Sequence, residues 1–276
     1  MPELPEVETI CRGIRPHIID RAIEKISYSG KKLRIAVPID EIRDTLIGRR
    51  ITGVRRRAKF ILVEMEDKSL LAIHLGMTGN LGIFSPERKI AKHCHLQFLL
   101  SDGMELRYAD ARRFGSIQAL SSEEAREIEN SLFRTTGPEP FSDEFTADYL
   151  FQISRGRNVP VKSFIMTNQV VAGVGNIYAN ESLFQAGIDP NRSASSITFE
   201  HCAMLITRIR EVLSNAIACG GSTISDYVNA NQEGGYFQIN FQVYGRGGEI
   251  CKSCNSTIVK VQIRGRTSYY CPKCQR

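Results

Sequence analysis

Four cysteines near the end of the chain follow the pattern Cys251-x2-Cys254, sixteen intervening residues, then Cys271-x2-Cys274, and no other feature limits the fold so strongly. Each C-x2-C pair offers two thiolates from one tight knuckle, and two knuckles complete a tetrahedral site with no position left for water. The intervening 258–263, then Gly265, then 267–270 have the make-up of a β-hairpin, so the spacing predicts a ribbon around one structural Zn2+. Two disulfides or a redox pair are the competing readings. A ribbon this small lacks the core to fold without its metal. Lys260, Arg264 and Arg266 would place cations on its hairpin. The other cysteines, Cys11, Cys94, Cys202 and Cys219, are scattered singly and read as buried small residues in a reducing cytosol.

Charge points to a polyanion. The chain of 276 residues carries a formal +6, and from Cys251 to Arg276 there are six Lys or Arg and no Asp or Glu, which equals the whole excess. A second acid-free run holds Arg49, Arg50, Arg55, Arg56, Arg57 and Lys59. Such runs are commonly solvated faces, but two of them raise the odds of phosphate contacts. No apolar run has the length of a membrane span and the acidic N-terminus is unlike a signal peptide, so a cytoplasmic protein without membrane attachment is expected.

The patterning divides the chain. Residues 20–120 read mainly as strands: 51–66 and 69–75 are rich in Ile, Val and Leu, and Ser101-Asp102-Gly103 joins 94–100 to 104–108 as a hairpin. This predicts a β-sandwich or barrel with the first helix packed against it. Residues 121–131 look helical, and Gly137-Pro138-Glu139-Pro140 is a rigid break. Helices are then expected from Ser142 to about 153, from 161 to 168, from 176 to 187 and from 198 to 219. The whole is an α+β chain: an N-terminal domain over 1–135, a helical domain over 136–235 and the ribbon over 236–276.

Two segments carry chemistry. The chain opens Met1-Pro2-Glu3-Leu4-Pro5-Glu6-Val7-Glu8. With Met1 removed, Pro2 presents a secondary amine able to attack an electrophilic carbon and form a charged iminium, and Glu3 beside it can deliver a proton. A retained Met1 would block the amine. The same residues also read simply as a helix start, with acids at the positive end of the dipole and Val7, Ile10, Cys11 and Ile14 at helical spacing. In Val171-Ala172-Gly173-Val174-Gly175-Asn176-Ile177-Tyr178, two glycines and a following helix N-terminus suit a phosphate, with the Asn176 amide as a further donor. A plain helix–turn–helix link is the alternative. A dinucleotide site is excluded, because a third glycine and a preceding strand are missing.

The N-terminal motif, Arg57-Ala58-Lys59, His74-Leu75-Gly76-Met77, Arg112-Arg113-Phe114-Gly115, the 173–178 turn and the cysteine quartet together resemble the bacterial formamidopyrimidine-DNA glycosylases, in order along the whole chain. The resemblance implies an N-terminal β-sandwich with flanking helices, a helical domain with a helix–two-turn–helix motif and a zinc finger. It also implies a monomer that holds duplex DNA containing oxidised purines or abasic sites in the cleft between its domains. Pro2 would be the nucleophile at C1′, Glu3 the proton donor to the sugar ring oxygen, and Glu6 a supporting acid. Lys59 would assist β-elimination and Arg266 δ-elimination. Met77, Arg112 and Phe114 would fill the gap left by the extruded base, although Met77 and Phe114 alone would read as core. His93, Arg157 and Asn176 fall at DNA-contact positions, and 222–238 matches a loop over the flipped base, with a composition that suits a lid. His95 and Lys162 are left unassigned or as weak contacts to the DNA backbone. The resemblance to an endonuclease VIII-like glycosylase for oxidised pyrimidines is weaker, since Leu4 stands where that family has glycine. A non-catalytic DNA-binding protein would leave Pro2-Glu3 unexplained.

Overall fold

The computed structural model describes residues 2–222 and 241–276, which form two compact units: 2–134 with 219–222, and 135–218 with 241–276. The expected lid, 222–238, lies outside the described residues apart from Ser222.

In the first unit, α1 (Leu4–Ile18) buries Val7, Ile10, Cys11, Ile14 and Ile18 as one stripe. Next come β1 (Ile23–Tyr28), α2 (Ile39–Leu46), β2 (Ile51–Arg57), β3 (Phe60–Met65) and β4 (Leu70–His74). They are followed by β5 (Gly79–Phe84), β6 (Cys94–Leu100), β7 (Glu105–Asp110) and β8 (Ser116–Leu120). The strands make two four-stranded antiparallel sheets, β1-β6-β7-β5 and β2-β3-β4-β8. Ile26, Leu81, Phe98 and Leu106 of one sheet share a core with Val54, Ile61, Val63 and Ile73 of the other, and α1 and α2 pack onto it. One face of each sheet fills that core; along β4 burial is continuous, since Leu71 and Ile73 face the core while Leu70 and Ala72 are covered on the other side.

Three local expectations change in this unit. The run 51–66 is a hairpin and not one strand: Arg57 pairs with Phe60, and Ala58-Lys59 makes the turn. Helix α2 occupies a stretch read as strand; its Ile39, Ile42 and Leu46 recur at helical spacing and turn toward the core. The helix expected over 121–131 is the short α3 (Ser122–Arg126), capped by Ser121 and Glu124. It stops there because the chain turns so that Ile128 and Phe133 can cover Leu62 and Ala72 on the outer face of the second sheet.

The second unit contains α4 (Ala147–Ser154), α5 (Val161–Ile165), α6 (Asn176–Gln185) and α7 (Phe199–Ala218). The first of these begins five residues later than Ser142, because Thr146 is its cap and accepts from Tyr149 N–H at 3.1 Å. Ser142 instead donates to the Glu139 carbonyl. On α7 the stripe from Cys202 to Ala216 is buried. Its Arg210 guanidinium ties down the carbonyls of Pro140, Ser142 and Phe145. The chain closes in β9 (Val259–Ile263) and β10 (Arg266–Tyr270), joined by Arg264-Gly265 with φ of 45° and 75°, the geometry of a two-residue hairpin turn.

Helix α6 holds this hairpin directly. The Asn180 side-chain oxygen accepts from Tyr269 N–H, and the buried Glu181 carboxylate accepts from the successive N–H groups of Gln242, Val243 and Tyr244. Phe184 joins Val243, Cys251, Ile258 and Cys271 in the ribbon's small core. Ribbon and helices are therefore one body.

Candidate functional site

The metal site follows from the ribbon. The four Sγ atoms of Cys251, Cys254, Cys271 and Cys274 lie within 4.8 Å of one another, and no other such cluster of three or more metal-ligating side chains occurs among the described residues. Zinc–thiolate bonds of about 2.3 Å in a tetrahedron place sulfurs about 3.8 Å apart. The separations of 4.0 Å for Cys251–Cys274 and 3.3 Å for Cys254–Cys271 bracket that value, and all four thiols are unbridged. The quartet fits one structural zinc ion. His93 and His95 form no second site: His95 is buried between Ser29 Oγ and the Asp110 carbonyl, with burial holding its pKa down.

At the N-terminus Pro2 is buried, and so are Glu3 and Glu6, each 2% exposed. Glu3 is the extended cap residue of α1, and its N–H donates to Glu6 Oε2 at 2.8 Å. Glu6 Oε1 accepts from both the N–H and the hydroxyl of Ser222, at 2.8 and 2.9 Å. The acid expected only to support the site thus fastens the start of α1 to the segment that follows α7.

Lys59 sits at the tip of the β2–β3 hairpin, after Ala58, whose φ is +52°. His74 at the end of β4 lies near it, with its ring 4.9 Å from Phe60. The His74 pKa falls to about 4, through burial first and then the Lys59 and Arg34 charges. Its Nδ1 accepts from Gly76 N–H at 3.1 Å, which requires the neutral ring.

Met77 is half-buried in the turn between β4 and β5, while Arg112 and Phe114 are exposed in the turn between β7 and β8. The Arg112 guanidinium lies 4.8 Å from the Phe114 ring centroid. His93 is exposed, and its carbonyl receives Asp110 N–H at 2.9 Å, placing it at the same end of the first sheet.

In the second unit, Asn176 begins α6 and is engaged on both sides of its amide. Its Oδ1 accepts from Lys162 Nζ at 2.6 Å and its Nδ2 donates to the Thr267 carbonyl at 3.1 Å. Lys162, only 1% exposed, also donates to Ser268 Oγ at 2.6 Å and to the Thr267 carbonyl at 3.1 Å. This lysine, read from the sequence as at most a weak DNA-backbone contact, instead ties the Gly173–Asn176 turn to the strand that begins at Arg266. Arg266 itself is exposed beside the hairpin turn, and Arg157 is exposed in the loop after α4. The basic run at 49–57 is not an open phosphate face. Arg49, Arg50, Arg55, Arg56 and Arg57 pair with Asp67, Glu66, Glu64, Glu8 and Glu129, acids that the fold supplies from elsewhere in the chain.

Family models match in three consecutive stretches: the formamidopyrimidine-DNA glycosylase N-terminal domain at 1–117, its H2TH domain at 136–228, and a zinc finger found in FPG and IleRS at 248–276. A formamidopyrimidine-DNA glycosylase of Stutzerimonas stutzeri is 47% identical over 277 residues, with all of both chains covered. Among solved structures, a Lactococcus lactis FPG mutant bound to Fapy-dG-containing DNA superposes with a TM-score of 0.92 at 32% identity, covering 100% of both chains. A MutM bound to DNA containing carbocyclic 8-oxo-G gives 0.91 at 32% identity and the same coverage. With its sandwich, helical segment and cysteine quartet all matched along the full length, the chain belongs to the formamidopyrimidine-DNA glycosylase family.

Proposed function

We propose that this protein is a base-excision repair enzyme that removes oxidised purines, such as 8-oxoguanine and formamidopyrimidines, from duplex DNA and then nicks the resulting abasic site. The observation that carries the reading is Pro2 directly ahead of α1, beside the buried pair Glu3 and Glu6, in a chain related over its whole length to named glycosylases. The Pro2 amine attacks C1′, the glycosidic bond breaks, and the base leaves. Glu3 gives a proton to the ring oxygen as the sugar opens to an iminium. The iminium acidifies the adjacent C2′–H, so loss of that proton expels the 3′ phosphate by β-elimination, followed by the 5′ phosphate. Lys59 and Arg266 assist these eliminations. Met77, Arg112 and Phe114 fill the space left by the extruded base, whose unstacking costs a few kcal/mol. His93, Arg157 and Asn176 position the backbone.

Zn2+ on the four cysteines is structural and takes no part in bond making. The protein works as a cytoplasmic monomer, divided functionally into 1–135, 136–235 and 236–276. No helix among the described residues is long and apolar enough to cross a membrane.

The test is borohydride trapping on a duplex containing 8-oxoguanine, followed by mass mapping of the cross-linked peptide. A covalent adduct on Pro2 is expected. The Pro2→Gly variant should retain lesion binding and lose strand cleavage, and cleavage at the wild-type rate would remove the amine mechanism. Trapping only on an oxidised-pyrimidine duplex would transfer the protein to the sister specificity.

A further inference from the structure

The two turns that carry Met77, Arg112 and Phe114 meet on one carboxylate. Asp110 ends β7 and has no exposed surface. Its Oδ1 accepts from the Thr78 hydroxyl at 2.5 Å and from Arg112 N–H at 3.2 Å. Its Oδ2 accepts from Gly115 N–H at 2.9 Å and from the Tyr108 phenol at 3.1 Å, and burial keeps that phenol protonated. Thr78 follows Met77, while Arg112 and Gly115 bracket Phe114. Arg112 N–H also lies 3.0 Å from the Thr78 hydroxyl, so the two turns share a second bond beside the carboxylate.

Their backbones approach too closely to admit a side chain at either glycine of the junction. Gly76 has φ +65°, and a Cβ there would lie 2.4 Å from the Phe114 carbonyl carbon and 2.5 Å from the Gly115 nitrogen. A Cβ on Gly115 would lie 1.9 Å from the Tyr108 hydroxyl and 2.6 Å from the His74 carbonyl oxygen. Arg113, between Arg112 and Phe114, is held at φ +57°, a left-handed conformation that an ordinary L-residue keeps only where its surroundings offset the strain. The enforcement is visible on both sides: Arg112 N–H is held by Asp110 and Thr78, while Gly115 donates to Asp110 and its carbonyl receives Arg34 N–H at 3.1 Å.

We propose that Asp110 is a positioning residue for lesion recognition, locking the Met77 turn and the Arg112–Phe114 turn into one rigid wedge whose three side chains enter the base stack together. The proposal rests on the assignment of those three residues as the gap-filling set. Asp suits the place for a chemical reason: four donors converge on it, and an ionised carboxylate offers only acceptors. Asparagine of the same shape would turn an N–H2 toward two of those donors. Turns ordered before DNA arrives give up little loop freedom on insertion, so more of the contact energy offsets the unstacking.

The experiment uses the full-length, zinc-loaded protein with Asp110→Asn, Thr78→Val and Thr78→Ser, and with a reference variant carrying Met77→Ala, Arg112→Ala and Phe114→Ala. Three readouts separate positioning from folding: the fluorescence rise of 2-aminopurine beside 8-oxoguanine, single-turnover excision of that base, and borohydride trapping on a preformed abasic duplex. Asp110→Asn and Thr78→Val should slow the fluorescence rise and excision by about tenfold or more, the worth of a hydrogen bond to a charged group. Trapping at the preformed abasic site should fall much less, and Thr78→Ser should restore the wild-type rates. Equal loss in all three readouts, or none in the first two, overturns the proposal. If the reference variant loses the fluorescence rise while Asp110→Asn keeps it, the shared lock is wrong and the wedge stands. A reference variant that keeps the rise shows instead that the wedge assignment is wrong. Should Asp110→Asn fail to fold, the Thr78 pair gives the same decision.

Discussion

His74 shows what a single buried side chain imposes. Its neutral ring accepts Gly76 N–H, and a proton on Nδ1 would break that bond while placing a charge beside Lys59 and Arg34. With a folded-state pKa of about 4 against the usual 6.5, the unfolded chain binds more protons between those values. The stabilisation is therefore complete above pH 6.5 and drains away as pH falls toward 4, by about 3 kcal/mol. His74→Asn keeps an acceptor for Gly76 and has nothing to titrate. Urea unfolding at pH 7 and pH 4.5 should show a smaller acid loss in that variant, and parallel curves would exclude His74 as the source. Sequence reading singled out the His74–Met77 motif but not this role, because burial and the approach of Lys59 arise only once β3 and β4 pair.

Among the elements, hairpin tips and helix ends were the least legible. Arg57-Ala58-Lys59 contains no Gly or Asn to mark a turn, so β2 and β3 read as one apolar run, and only the positive φ of Ala58 breaks it. The cysteine quartet was legible in full, because two knuckles and a hairpin are local. Lys162 was not: its partners Asn176 and Ser268 are 14 and 106 residues away. A buried ammonium with three acceptors makes the α5–α6 turn and β10 one construction. Lys162→Met keeps the stem and deletes the donors, leaving buried acceptors unpaired, and should cost about 3 kcal/mol. Duplex affinity should fall with it, since Asn176 and Arg266 stand on the two elements that the lysine joins. Chemical denaturation and a binding titration measure both, and a variant unchanged in each would show that the lysine is dispensable.

For the whole molecule, the division into two units decides what the metal holds. The ribbon's apolar core is little more than Val243, Cys251, Ile258, Cys271 and the borrowed Phe184, whereas the sandwich has a core drawn from both sheets and two helices. Removing zinc leaves four thiols whose ionised forms repel one another and a hairpin with too few contacts to persist. The loss reaches α6, because the buried Glu181 carboxylate depends on the N–H groups of 242–244, and its pKa is already raised by burial. Without those donors it must take up a proton or draw in water. A strong chelator should therefore abolish amide-exchange protection across 241–276 and lower it through α6, while β2, β3 and β4 exchange as slowly as before. DNA binding should fall in step with zinc content, because Arg266 loses its strand. Retained protection in β9 and β10 after the metal is gone would mean that packing against Phe184 suffices, and the ribbon would then be a folded module that zinc merely decorates.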